Sequence, residues 1–110
     1  MKLIHGMVRD YKIDAVRDAL NRINVQGLAF ANVKDCSPQE HPTTVWRGHL
    51  ASLGFTPKVA FTVVVHDDDV DDVVRTIICS ARTGCPGDGA IAVIPVEHRY
   101  DIRTGERNVS

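Results

Sequence analysis

Apolar residues along the first third of the chain form two short runs separated by a helical repeat. Residues 2–9 are a short, mostly apolar run, which predicts a β-strand. Apolar residues then recur every three to four positions, at Ile13, Val16, Leu20 and Ile23. This spacing predicts an amphipathic helix. A turn over residues 24–27 and a second strand over residues 28–33 follow.

The same order of elements restarts in the second half. Residues 59–65 are a β-branched run and the clearest strand signal in the sequence. A second helix is predicted next, with six apolar residues facing inward: Val70, Val73, Val74, Ile77, Ile78 and Ala81. A glycine-rich turn over residues 84–89 leads to a fourth strand over residues 90–96. The halves align at an offset of 57 residues, which sets Ile13 against Val70.

A duplicated β-α-β unit of this size predicts an α+β fold of the ferredoxin-like type, with the order βαββαβ. A long loop, residues 35–58, separates the two halves and shows no sustained periodicity. Both helices would cover one face of a four-stranded sheet, and the residues of its other face are apolar too. We therefore expect the uncovered face to be buried against other copies in a closed homo-oligomer.

Composition narrows the possible functions. The chain has 110 residues, enough for one domain, and its net charge of −1 with 5% aromatic residues argues against nucleic acid as a partner. Nothing at the N-terminus resembles a signal peptide, and the cysteine count, three, is odd. Reduced thiols and a cytoplasmic location are the resulting expectations.

Candidate chemistry concentrates in the second turn and the tail. Three glycines between residues 84 and 89 allow backbone amides to approach an anion. The tail adds three arginines, whose planar donor forks suit phosphate: Arg99, Arg103 and Arg107. Together with the long loop, these features indicate a phosphate-bearing ligand. The alternative is an ordinary surface turn followed by a solvated tail.

Neither an enzyme nor a metal site is indicated. The five histidines are dispersed, and no nucleophile-and-base motif is present, so the chain is expected to be a binding protein, not an enzyme. The spacing Cys79-x5-Cys85 matches no zinc pattern. The aspartates within residues 67–72 fall at a helix start, where they complement the helix dipole and stay solvated.

Two motifs carry a family resemblance. Residues 82–91 read Arg-Thr-Gly-x-x-Gly-Asp-Gly-x-Ile, and residues 102–106 read Ile-Arg-Thr-Gly-Glu. Both are similar to signatures of the PII signal-transduction proteins. The resemblance implies one PII-like domain over residues 1–110. Its parts would be a T-loop at 35–58, a B-loop at 82–90 and a C-terminal loop or tail at 98–110.

The resemblance also implies a homotrimer that binds adenine nucleotides in the clefts between subunits. The T-loop would report the bound state to a transporter or a metabolic enzyme. Six residues would contact the nucleotide: Gly87, Asp88 and Gly89 around the phosphates, Arg103 from the tail, and Gly27 and Val64 on the adenine side. Gln39 and Lys58 match positions that serve a second small anion, 2-oxoglutarate or bicarbonate.

Several positions depart from the family pattern. Ala51 stands where many members carry a modified tyrosine, and the loop contains the acids Asp35 and Glu40. Ala90 replaces a lysine and Asp101 replaces an arginine. Because positive charge is lost near the phosphates, ADP or AMP is expected to bind at least as tightly as ATP, and participation of Mg²⁺ is left open. These changes indicate a PII-like paralogue with a divergent T-loop.

Two other ferredoxin-like readings remain as alternatives. One is a trimeric divalent-metal-binding protein of the cation-tolerance type, with His and Cys as ligands, which would lack both signatures. The other is an acylphosphatase-like hydrolase, which would need an arginine and an asparagine near the first strand. A phosphate-binding arginine and an asparagine placed together there are not evident in the sequence.

Overall fold

A computed structural model describes residues 1–35 and 56–108. The elements follow one another in the order β1 (Lys2–Arg9), α1 (Ile13–Arg22), β2 (Ala29–Asp35), β3 (Thr56–Val65), α2 (Val70–Ala81), β4 (Gly89–Pro95), β5 (Arg99–Tyr100) and β6 (Arg107–Asn108). The first four strands form one sheet in the order β2-β3-β1-β4, with antiparallel neighbours throughout. This is the ferredoxin-like α+β arrangement expected from the duplicated pattern.

The internal repeat predicted from the sequence is confirmed in detail. In each half a single 3₁₀ turn separates strand from helix, at Asp10–Lys12 and at Asp67–Asp69. The helices then begin at Ile13 and Val70, which are the positions aligned by the 57-residue offset. Both halves therefore place a helix on the same side of the sheet.

The core lies between this sheet face and the two helices. Helix α1 buries residues spaced three and four apart, and helix α2 does the same. The buried apolar residues are Ile4, Val8, Ile13, Val16, Leu20, Val59, Phe61, Val63, Val65, Val73, Ile77 and Ala81. The core is aliphatic apart from Phe61, as the low aromatic content requires.

Two residues predicted to face inward are exposed instead. Helix α1 ends at Arg22 because Asn24 adopts a left-handed φ of 62° and the N–H of Val25 donates to the carbonyl of Leu20 at 2.9 Å. Ile23 therefore lies past the last turn of the helix, outside the core. In α2, Ile78 follows the buried Ile77 by one position, which turns it away from the sheet.

The boundaries of two strands also differ from prediction. Strand β2 continues to Asp35, and β3 begins at Thr56, so both ends of the predicted loop 35–58 are paired strand. Their residues are polar or proline, and the apolar pattern could not report them. The ladder extends because the backbone pairing does not depend on side-chain polarity. Residues 36–55, including Gln39, Glu40 and Ala51, lie outside the described part of the chain.

The predicted C-terminal loop or tail contains a hairpin, formed by β5 and β6. The Asp101 side chain accepts hydrogen bonds from the N–H groups of Arg103 (2.8 Å) and Thr104 (3.2 Å). The N–H of Gly105 donates to the carbonyl of Asp101 at 2.7 Å. Asp101, read from the sequence as a lost cation, thus closes the hairpin turn.

The face of the sheet opposite the helices carries small and apolar side chains. Away from the end of the sheet that carries Arg9 and Lys58, it consists of the alternate residues of the four strands: Leu3, His5, Met7, Ala29, Ala31, Ala60, Thr62, Val64, Ala90, Ala92 and Ile94. These residues are half-buried or exposed in the single chain. Neither α1 nor α2, the helices of the described ranges, has the length and hydropathy to span a bilayer.

The start of β4 requires glycine. Gly89 pairs with Val8 and has a φ of 110°, and a Cβ atom built there would lie 1.8 Å from the carbonyl oxygen of Met7. Gly84, in the preceding turn, has a similar φ of 88°, but a Cβ atom there would meet nothing within 4 Å. The two glycines therefore separate the effect of backbone conformation from the effect of crowding.

We expect Gly89→Ala to destabilise the fold far more than Gly84→Ala. In Gly84→Ala the alanine must adopt the left-handed backbone conformation but meets no neighbouring atom, and this conformation costs about 1 kcal/mol. The Gly89 variant must also displace a strand backbone, for a total of about 3 kcal/mol or more. Urea unfolding of both variants and the parent measures the difference. Equal losses would contradict the close approach of β4 to β1.

Candidate functional site

The loop between α2 and β4 is organised around the carboxylate of Asp88. Its Oδ2 accepts the backbone N–H groups of Thr83 and Gly84, each at 2.9 Å. Its Oδ1 accepts the hydroxyl of Thr83, whose oxygen in turn accepts the N–H of Cys85 at 3.2 Å. The Asp88 side chain therefore points into its own loop and holds the turn in one conformation.

Arg9, the last residue of β1, ties this loop to the sheet. Its Nε donates to Oδ1 of Asp88 at 3.0 Å, and Nη2 donates to the carbonyl of Pro86 at 2.9 Å. Both side chains are mostly buried, at 20% and 23% exposed. A charge-assisted contact in this setting is stronger than one between fully solvated groups.

These contacts hold the pKa of Asp88 well below its ordinary value. The hydroxyl of Thr83 is the largest cause, and desolvation of the carboxylate opposes it. The backbone N–H of Thr83, the Arg9 guanidinium and the N–H of Gly84 lower the pKa further. At neutral pH the Asp88 carboxylate is thus ionised, and its charge is used within the protein.

A second ion pair lies at the same end of the sheet. Lys58 Nζ is 3.0 Å from Oδ2 of Asp35, and the Lys58 side chain is only 2% exposed. Asp35 is the last residue of β2, and Lys58 is the third residue of β3. From the sequence, Asp35 is expected only to repel a phosphate ligand. The structure shows in addition that it compensates a buried lysine.

The two cations of these pairs face each other. Arg9 of β1 is opposite Lys58 of β3 in the strand register, and paired residues of antiparallel strands share one face. Like charges in this position repel, so each requires its own counter-ion. Asp88 supplies one and Asp35 supplies the other. The four charges therefore form a row at this end of the sheet in the order anion, cation, cation, anion, in which both cations are compensated.

A cleft of about 340 Å³ opens beside the Asp88 loop, between α2 and β4. Its walls are mainly apolar and include Val74, Ile78, Ile91 and Val93. Among the described residues that line it, Arg82 is the only cation and Asp88 the only anion. Ala90, where a lysine was expected from the family pattern, is also part of the wall. The cleft suits a ligand with an apolar part and little negative charge.

The nucleotide-binding residues predicted from the sequence fall into separate groups. Gly87, Asp88 and Gly89 lie together in the loop, and Gly89 pairs with Val8 near the end of β1. Val64 pairs with Leu3 near the start of β1. Gly27 precedes β2 by two residues, on the side where β2 pairs with Thr62, so it lies towards the same end of the sheet. Five residues of strand separate the two groups, or about 17 Å. A single chain does not bring them together.

The remaining predicted residues have different positions. Lys58 lies beside Arg9 at the loop end of the sheet, and Arg103 is in the turn of the exposed C-terminal hairpin. Gln39 lies outside the described residues. Arg9 and Thr83, which organise the loop, were not predicted from the sequence to do so. The predicted ferredoxin-like pairing of β1 with β4 was a signal for Arg9, because it puts the end of β1 next to residue 88.

The acidic segment at the start of α2 is solvent-exposed, as predicted. Asp67 accepts a hydrogen bond from the N-terminal ammonium at 2.6 Å, and this contact lowers its pKa. Asp72 is 3.4 Å from Arg75 in the next turn of the helix. In the described ranges 1–35 and 56–108, no three His, Cys, Asp or Glu residues converge as a metal site would require. Cys79 and Cys85 are both exposed there.

The structure is that of a small ferredoxin-like α+β domain in which the loop before β4 is closed by hydrogen bonds to Asp88. A family model, "Nitrogen regulatory protein P-II", matches residues 1–106. The chain is 39% identical to the nitrogen regulatory protein P-II of Rhizobium etli over 106 residues, which is 96% of this chain and 95% of the relative.

Other relatives agree with this match. The P-II protein of Haemophilus influenzae and P-II protein 1 of Escherichia coli K12 are each 41% identical over 108 residues, or 98% of this chain and 96% of theirs. The chain belongs to the nitrogen regulatory protein P-II family, a family of regulatory proteins. The resemblance drawn from the two motifs is confirmed, and the cation-tolerance and acylphosphatase-like alternatives are set aside.

We expect the stability contributed by the Asp88 contacts to be lost in acid. Because the folded-state pKa is lowered, the unfolded chain binds more protons, and stability falls as the pH drops below the unfolded value of about 3.9. Asp88→Asn should therefore lose less stability than the parent between about pH 5 and pH 2. Thermal unfolding followed by circular dichroism across this range provides the measurement.

Thr83→Val is the graded control for this experiment. It removes the hydroxyl that contributes most to the lowered pKa and keeps the backbone amides. Its pH dependence should lie between those of the parent and Asp88→Asn. If the parent and Asp88→Asn lose equal stability on acidification, the contacts do not stabilise the ionised carboxylate.

Proposed function

We propose that this P-II family member is a non-enzymatic signalling protein of the cytoplasm that binds adenine nucleotides in clefts between the subunits of a homotrimer. ADP or AMP binds at least as tightly as ATP. A second small anion, bicarbonate or 2-oxoglutarate, binds near Lys58 and Gln39. The nucleotide state is passed through residues 35–58 to a transporter or a metabolic enzyme.

The proposed preference for ADP or AMP rests on the small number of charged residues in the cleft. The described lining holds one cation and one anion, Arg82 and Asp88, and Ala90 adds no charge. The nearby Arg9 and Lys58 are each committed to an internal carboxylate. A third phosphate would therefore bring negative charge without a matching gain in donors. The adenine ring needs mainly apolar and backbone contacts, so the missing cations do not oppose its binding.

Two observations support a trimer. The sheet face without helices is apolar, with exposed residues such as Ala31, Ala92 and Ile94, and gains from burial against other copies. The two groups of predicted nucleotide contacts lie at opposite ends of one sheet, so only residues from different subunits could surround one ligand. An inter-subunit cleft satisfies both constraints.

The role in regulation rests on the relatives and on the position of the long loop. The relatives are named as nitrogen regulatory proteins, which supports a function in nitrogen regulation or in the closely linked control of carbon supply. Residues 36–55 connect β2 and β3 at the sheet end that carries Lys58 and Asp88. A ligand bound at this end would lie close to the segment proposed to contact the target.

For the trimer, we expect light scattering at micromolar concentration to give about three times the chain mass of 12.1 kDa. Ala31→Glu places a charge on the uncovered sheet face and should lower this mass. Ala15→Glu makes the same change on the exposed side of α1 and should leave the mass unaltered. A monomer or dimer mass for the parent would contradict the trimer.

For the nucleotide, we expect calorimetry to show that ADP or AMP binds the parent at least as tightly as ATP. Ala90→Lys should shift the preference towards ATP, because it adds a cation to the wall of the cleft. Arg103→Ala should weaken binding about tenfold or more, through loss of one charge-assisted phosphate contact.

Arg22→Ala, at the exposed end of α1, is the matched control for the loss of one positive charge. It should bind nucleotides as the parent does. Clearly tightest binding of ATP to the parent, strengthened by 2-oxoglutarate, would overturn the proposed preference. Unchanged binding by Arg103→Ala would place the phosphates away from the C-terminal hairpin.

A further inference from the structure

Lys58 is the only charged or polar residue that is fully buried among the described residues, at 2% exposed. An ammonium group without water or a counter-ion would be strongly destabilising in this position. The Asp35 carboxylate lies 3.0 Å away and supplies the compensating charge. The pair therefore behaves as an anion-binding site that already contains an anion.

The backbone holds this anion in place. In the β2–β3 ladder, Val33 is opposite Lys58 and Asp35 is opposite Thr56, so the ion pair runs diagonally between neighbouring strands. Asp35 thus reaches Lys58 from a fixed position on the same sheet. Tethering of this kind gives a group a high effective concentration, in the millimolar range or above for short connections.

The two members of the pair differ in their access to solvent. The Asp35 side chain is 18% exposed, whereas Lys58 is 2% exposed. Solvent therefore reaches the carboxylate side of the pair and not the ammonium. The position next to Lys58 is therefore the part of the site that can exchange one anion for another.

We propose that Asp35 is the specificity-determining residue of this site: its carboxylate is the resident ligand of Lys58, and a free small oxyanion binds there only by displacing it. The ligand chemistry is that of bicarbonate or of one carboxylate of a short organic acid. The proposal rests on the second-anion site of the proposed function and adds an intramolecular competitor to it. Free anions consequently bind the parent weakly.

The test is chemical rescue of Asp35→Asn, which keeps the shape of the side chain and removes its charge. Thermal unfolding is measured against sodium bicarbonate, sodium 2-oxoglutarate and sodium chloride at equal ionic strength and constant pH. We expect the variant to be less stable than the parent. Bicarbonate, 2-oxoglutarate or both should stabilise it saturably, with an affinity at least about ten times that shown by the parent.

Two further variants show whether the rescue occurs at Lys58. Asp35→Asn combined with Lys58→Met removes both charges and should respond to each anion no more than to chloride. Asp72→Asn makes the same charge change in an ion pair with Arg75 in which both side chains are exposed. It should show no rescue. The responses to bicarbonate and to 2-oxoglutarate then decide between the two sources of the anion.

Several outcomes would overturn the proposal. They are an equal response of Asp35→Asn to all three salts, an affinity no greater than that of the parent, and a rescue that persists in the double variant. If Asp35→Asn does not fold in dilute buffer, it is refolded from urea with each salt. Recovery with bicarbonate or 2-oxoglutarate but not with chloride supports the proposal, and failure with all three overturns it.

Calorimetry with ADP on the parent and Asp35→Asn separates this inference from the proposed function. Anion rescue without any nucleotide binding would leave the inference intact and overturn the proposed function. Nucleotide binding without anion rescue would overturn the inference and leave nucleotide binding in the proposed function intact.

Discussion

The opposition of Arg9 and Lys58 at one end of the sheet constrains much of the surrounding structure. The strand register places these cations side by side on one face, and Lys58 has almost no access to water. Two adjacent positive charges in such a position require counter-ions. Asp88 reaches Arg9 from the loop before β4, and Asp35 reaches Lys58 from the end of β2. All four strands are linked by this requirement, and each ion pair fixes one segment of chain near the candidate site.

The Asp88 carboxylate also fixes the conformation of the loop and reduces the number of loop donors that a ligand could use. The Asp88 carboxylate takes up the N–H groups of Thr83 and Gly84, which a glycine-rich turn could otherwise offer to a phosphate. The loop is thus ordered before any ligand arrives, and ordering it on binding costs little. The neighbouring Arg9 and Lys58 are already paired with carboxylates, however, so the affinity for the proposed ligand would come largely from Arg82, from the apolar cleft and from donors on other elements. The chain is thus a P-II family member in which Arg9 and Lys58 are both paired with carboxylates of the same chain.

The function proposed for this fold depends on more than one chain. The loop end and the opposite end of the sheet are separated by most of the length of β1, and the uncovered face lacks a layer that would bury it. The duplicated β-α-β unit accounts for both facts, because each half contributes its helix to the same side. The architecture that places both helices on one side of the sheet therefore also leaves the other side uncovered.

The sequence by itself determined the fold class, the repeat and most of the core, because apolar periodicity reports directly which faces are buried. It also identified the family, through residues 82–91 and 102–106, and located the glycine loop. Only the tertiary structure paired Asp35 with Lys58 and Arg9 with Asp88, residues 23 and 79 positions apart. It also extended β2 and β3 into the predicted loop and turned Asp101 into the cap of a hairpin. The position of a charged residue in the sequence indicates neither its ion-pair partner nor its burial, because strand register and the approach of distant segments set both.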